Sequence, residues 1–200
     1  GVNDYVSFSD ITLTVADSWT ISFWWKGGGA VGVLGYSSTN GYVQLVTDGR
    51  VIINGLLGVG GSFANPPINS TTWYNVVIAC SSGSMQCYVN GVESSTGSLS
   101  AGSTSSGALN ELGRRAAGSA HINGILDEVI IKRGEKANAT AVAAYYNGGA
   151  GNYASVLVTA PSRHYKLNES GTDTIATDDG SDAEDGTLNN FPTNGMWVAH

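Results

Sequence analysis

Along most of this chain apolar and polar residues alternate with a period of two, and clusters of Gly, Asn, Asp and Ser break the alternation roughly every 8 to 12 residues. A strand turns successive side chains to opposite faces, so this pattern can bury one face only as β-structure. Candidate strands are 5–8, 19–26, 31–36, 42–47, 50–54, 73–81, 85–92, 108–112, 124–132, 162–167 and 186–188. They are enough for an all-β fold, a two-sheet antiparallel β-sandwich. Asp48-Gly49 and Asn90-Gly91 supply residues that tolerate the positive φ of tight hairpin turns, whereas the Ser/Thr-rich stretch 94–107 reads as a long surface loop. One short helix is expected over 139–146: Asn138 can cap it and Asn147-Gly148-Gly149 stops it.

Charge and the length of the apolar runs exclude two classes of function. Nine Lys and Arg stand against sixteen Asp and Glu, for a net charge of -7, and the only basic pairs are Arg114-Arg115 and Lys132-Arg133. No stripe can neutralise a run of phosphates, so nucleic acid is not an expected partner. No apolar run approaches the roughly 20 residues that span a bilayer, so no membrane span is expected.

The two cysteines lie near a turn. If the loop of the hairpin 73–92 is Gly83-Ser84, Cys80 faces Cys87 across the strands and a disulfide is geometrically open; a one-residue change of register leaves two buried thiols. Adjacent Trp24 and Trp25 must place one ring on each face of their strand. The outer ring can meet the helix, a neighbouring subunit or a sugar.

Six segments, in order, carry a resemblance: Gly1-Val-Asn-Asp-Tyr-Val-Ser-Phe8, Trp19-Thr-Ile-Ser-Phe-Trp-Trp25, Trp73-Tyr-Asn-Val-Val77, Tyr88-Val-Asn-Gly91, Asn123-Gly-Ile-Leu-Asp-Glu-Val129 and Ala143-Ala-Tyr-Tyr-Asn-Gly-Gly149. The chain resembles the concanavalin A-like superfamily, and within it the laminin-G-like jelly roll. The tail, His164-Tyr-Lys-Leu-Asn-Glu-Ser-Gly171 followed by 177–190, is similar to the segment that usually opens such a domain. The resemblance therefore implies a permuted C-terminal segment. Residues 1–200 are expected to form a single domain, with 1–149 as core and 150–200 completing the sandwich, in its own chain or in a neighbour. Proteins of this layout resemble bacteriophage structural proteins.

The resemblance also implies a structural Ca2+ held by Asn3 or Asp4 and by Asp127; the other reading is a turn cap at Asp4 and backbone hydrogen bonds to Asp127. Asp173, Asp178, Asp179, Asp182, Glu184 and Asp185 form a second acidic group, which either wraps an ion or is a solvated loop. Glycan hydrolases of the superfamily carry Glu-x-Asp-x-x-Glu, which is absent here, and Asp127 and Glu128 are adjacent in sequence and so cannot face one another as a retaining pair. His121, His164 and His200 accompany no nucleophile motif, so no enzymatic activity is expected. Tyr36, Tyr42 and Trp25 are the candidate glycan- or partner-binding residues, with Trp73 and Tyr74 also available. The expected function is a structural or adhesive protein, extracellular or on a virion surface, of the decoration or fibre type, with homo-oligomeric contacts or other surface proteins as partners. The alternative is a carbohydrate-binding module.

Overall fold

The computed structural model describes residues 4–14, 16–27, 31–35, 42–45, 51–54, 60–63, 71–94, 106–115, 119–168 and 173–191. Its strands are β1 (Tyr5–Thr14), β2 (Trp19–Gly27), β3 (Val31–Gly35), β4 (Tyr42–Leu45), β5 (Val51–Asn54), β6 (Gly60–Phe63), β7 (Tyr74–Ser81), β8 (Ser84–Val89) and β9 (Val92–Glu93). They continue as β10 (Ser106–Leu112), β11 (Arg114–Arg115), β12 (Ser119–His121), β13 (Gly124–Arg133), β14 (Arg163–Tyr165), β15 (Ile175–Ala176) and β16 (Gly186–Asn189). Helix α1 is Ala139–Tyr146 and α2 is the single turn Ala154–Leu157. An eight-stranded sheet runs β15-β16-β1-β10-β3-β4-β5-β6 and a six-stranded sheet runs β14-β13-β2-β7-β8-β9, with β11 and β12 paired separately. Every strand pair is antiparallel.

Parity along β2 explains the layers. Trp19, Ile21, Phe23 and Trp25 enter the core between the sheets together with Val76, Ile78, Cys80, Cys87 and Leu112. Trp24 turns the other way and joins Val77, Ala79, Tyr88 and Ile130 beneath Val142 and Tyr145 of α1. Of the three surroundings open to the outer ring, the helix takes it: Trp24 stacks on Tyr146 with centroids 5.9 Å apart and tilts against Tyr145 at 6.5 Å. The helix itself is capped as its sequence suggests, for Asn138 Oδ1 accepts the Ala141 amide at 3.0 Å and Asn147 closes the end in the left-handed region.

The tail supplies strands to both sheets. β14 pairs with β13, Tyr165 bridges to Asp178, and β16 pairs with β1, so the segment passes from the edge of one sheet to the edge of the other. Tyr165 is fully buried, 5.5 Å from the Phe8 ring, and its hydroxyl donates to the Glu184 carbonyl at 2.7 Å.

The cysteine pairing needs correction. Cys80 stands opposite Met85 and Cys87 opposite Ile78, because the turn is Ser82-Gly83, both with positive φ (48° and 81°), not Gly83-Ser84. The two thiols are diagonal rather than opposed and remain buried, unlinked core groups. Short strands β6, β11, β12 and β15 also went unpredicted, and the expected strand 85–92 breaks at Asn90-Gly91 into β8 and β9. The Asp48-Gly49 turn lies outside the described residues, while β4 and β5 on either side of it pair antiparallel.

Candidate functional site

Three strand ends meet at one end of the sandwich. The start of β1, the end of β10 and the start of β13 enclose a cavity of about 350 Å³, completed by Leu167 and Phe191 of the tail. Its polar lining comes from Asp4, Tyr5 and Asn123, and its apolar lining includes Val6, Leu112, Ile122 and Leu126. β2 and β13 converge tightly beside it: a Cβ on Gly124 would lie 2.4 Å from the Lys26 carbonyl oxygen, and one on Gly27 2.3 Å from that of Asn123. Only glycine fits at either position.

From this cavity the chain turns onto the outer face of the eight-stranded sheet. Gly113, at φ 84°, donates its amide to the Val33 carbonyl at 2.8 Å, continuing the β10–β3 pairing, and its carbonyl accepts the Ile122 amide at 2.6 Å, closing the base of the β11–β12 hairpin. Below that hairpin the register aligns Ser7, Glu111, Gly35 and Tyr42 in one row across β1, β10, β3 and β4. The neighbouring row, Val6, Leu112, Leu34 and Val43, faces the core, so the first row faces away from it. Arg114 pairs in bidentate fashion with the buried Glu111 carboxylate, its Nε 2.6 Å from Oε2, and its guanidinium lies 3.5 Å above the Tyr5 ring. The ion pair raises the Arg114 pKa further. Arg115 lies 4.7 Å above the Tyr42 ring and its Nη1 reaches Gln44 Oε1 at 3.5 Å.

The other expected site residues separate. Asn3 and Tyr36 lie outside the described residues. Trp25 is fully buried between the sheets, since it shares the parity of Trp19, Ile21 and Phe23, and it is therefore no surface contact. Tyr42 is covered by Arg115. Asp4 lines the end cavity alongside Leu126, whereas Asp127, the next residue after Leu126, pairs with Trp24 and so belongs to the helix-covered face. Asp127 Oδ1 already accepts the Glu128 amide at 2.8 Å. Asp4 and Asp127 thus do not share a site, and no group of three His, Cys, Asp or Glu able to hold a metal occurs among the described residues. Asn3, the third residue of the expected Ca2+ site, lies outside the described residues.

The acidic group in the tail is organised around its own backbone and two arginines. Asp178 accepts the amides of His164 (2.7 Å), Gly180 (2.7 Å) and Glu184 (3.0 Å). Asp182 Oδ2 is 2.7 Å from buried Arg163 and 2.8 Å from Arg133. A pair that sequence reading missed joins the tail to β13: Glu128 sits at φ 48° in a one-residue bulge and its Oε2 lies 2.6 Å from His164 Nε2.

A two-sheet antiparallel sandwich with a helix on one outer face and a polar end cavity defines a lectin-like jelly roll. The chain belongs to the concanavalin A-like lectin/glucanases superfamily, whose Laminin_G_3 family model matches residues 1–135. No curated protein sequence matches the chain. Among solved structures it is similar to the native heptameric SAP-like pentraxin from Limulus polyphemus (15% identity, 71% of this chain and 81% of that one, TM-score 0.47). It is also similar to domain 4 of AbnA, an extracellular arabinanase from Geobacillus stearothermophilus, in complex with arabinotriose (19% identity, 66% and 68%, TM-score 0.46). A third is the binding domain of Botulinum neurotoxin DC in complex with SialylT (13% identity, 87% and 47%, TM-score 0.37). No helix among the described residues is long and apolar enough to cross a membrane.

Proposed function

We propose that residues 1–200 form one non-catalytic, adhesive glycan-binding module of an extracellular surface protein, with the end cavity as its binding site. The observation that carries this reading is the lining of that cavity, which sets the polar residues Asp4 and Asn123 beside the aromatic residue Phe191. Sugars offer hydroxyls to polar side chains and C–H faces to an aromatic ring. A volume of about 350 Å³ falls at the small end of ligand sites. A non-catalytic role is supported by the engagement of other buried acids: Glu111 by Arg114, and Asp178 by three amides. Virion decoration through homo-oligomeric contacts is a separate proposal, tested by the oligomeric state in light scattering. Glycan-array screening followed by calorimetry tests the binding reading. Asp4→Ala or Asn123→Ala should weaken the selected glycan at least tenfold with an unchanged circular-dichroism spectrum; absence of binding across the array, or full affinity in both variants, overturns it.

A further inference from the structure

The hairpin that leaves the end cavity presents two adjacent arginines, in a chain with only nine basic residues, and their partners differ. Arg114 is neutralised by the buried Glu111 carboxylate and held flat on Tyr5. Arg115 has a ring and an amide oxygen as its partners, Tyr42 at 4.7 Å and Gln44 at 3.5 Å, and no carboxylate pairs with it among the described residues. His121, half-buried, sits across the hairpin from Arg114 and adds no negative charge. A half-buried guanidinium fixed over an aromatic face, with no carboxylate paired to it among the described residues, is arranged to receive a planar anion.

We infer that Arg115, fixed by Tyr42 and Gln44 on the outer face of the eight-stranded sheet, binds the carboxylate of an acidic sugar, making this a second subsite next to the end cavity. The inference rests on the glycan-binding reading above and narrows it to carboxylate-bearing glycans, uronic or sialic. Connection between the two subsites runs through Gly113, which lines the cavity, and Arg114, which stacks on the cavity residue Tyr5. The chain's net charge of -7 opposes any general attraction for anions, so recognition here must be local and geometric.

The test uses matched pairs on the full chain: sialyllactose against lactose, and a uronic-acid oligosaccharide against its carboxyl-reduced form. At least one acidic member should bind tenfold or more tightly than its neutral partner. That preference should shrink as salt rises and vanish in Arg115→Ala and Arg115→Gln, while the neutral partner's affinity and the circular-dichroism spectrum stay as in the parent. Arg115→Lys, which keeps the charge but loses the fork, should retain only part of the preference. Equal binding of acidic and neutral members by the parent chain, or a preference that survives in Arg115→Gln, overturns the subsite and leaves the glycan reading standing. No binding to any member of either pair, with none on a wider array, overturns both.

Discussion

The Asp178 carboxylate accepts the His164 amide at 2.7 Å, fourteen residues away in sequence, and so fixes the acidic tail loop to the strand that joins the tail to the six-stranded sheet. The same side chain accepts the amides of Gly180 and Glu184, and it is only 6% exposed. Removing it strands three amide donors and leaves nearby buried Arg163 with less negative charge. Asp178→Ala should cost about 3 kcal/mol, read as a lowered urea midpoint, with Asp178→Asn losing less because one oxygen still accepts. A loss below about 1 kcal/mol in the alanine variant would show that the tail is anchored by other contacts.

How much of this was legible in sequence depends on whether parity or a turn sets the position. β2 was readable, since Trp19, Ile21, Phe23 and Trp25 share a parity and all are buried; the same parity already argues against Trp25 as a surface contact. The Cys80 register was not readable: Ser82-Gly83 and Gly83-Ser84 both contain the glycine, and the observed turn puts the serine at positive φ, where glycine or asparagine is the usual signal. The Glu128–His164 pair was hidden by the bulge, which shifts the phase of β13 by one residue. Short strands such as β12 and β15 carry too few residues for any period to register.

The thiols provide a direct check on the register. Both cysteines are buried, and desolvation pushes the Cys80 thiol above its ordinary range, so little thiolate forms near neutral pH. Ellman titration should find almost no reactive thiol in the native chain and two after unfolding in guanidinium, under non-reducing conditions. Two fewer mass units in the intact chain, with no thiol released on unfolding, would mean that the strands pair in the opposed register after all.

Tyr145, on the buried face of α1, is fully buried, and its hydroxyl has no hydrogen-bond partner among the described residues. Ser22 and Trp24 lie near the phenol without meeting hydrogen-bonding geometry, and burial pushes its pKa well above normal. An unsatisfied buried hydroxyl costs stability, so Tyr145→Phe should be neutral or raise stability by up to about 1 kcal/mol. Tyr145→Ala should instead lose about 3 to 5 kcal/mol through the cavity left beside Trp24. Loss of more than about 1 kcal/mol in the phenylalanine variant would reveal a partner for the hydroxyl, such as an ordered water.

Glu111 and Arg114 form a nearly closed ion pair, Glu111 being 2% exposed and Arg114 16%. Burying two charges costs nearly as much as their attraction returns, but burying one alone is worse. Arg114→Ala should therefore lose about 3 kcal/mol, by leaving the Glu111 carboxylate without its cation and the Tyr5 ring without its cover. Adding Glu111→Gln removes the stranded charge, and the double variant should recover at least about 1 kcal/mol of that loss. Urea midpoints of the parent, both single variants and the double variant give the coupling directly. If the double variant is no more stable than Arg114→Ala, Arg114 supports the hairpin by packing on Tyr5 rather than by compensating Glu111.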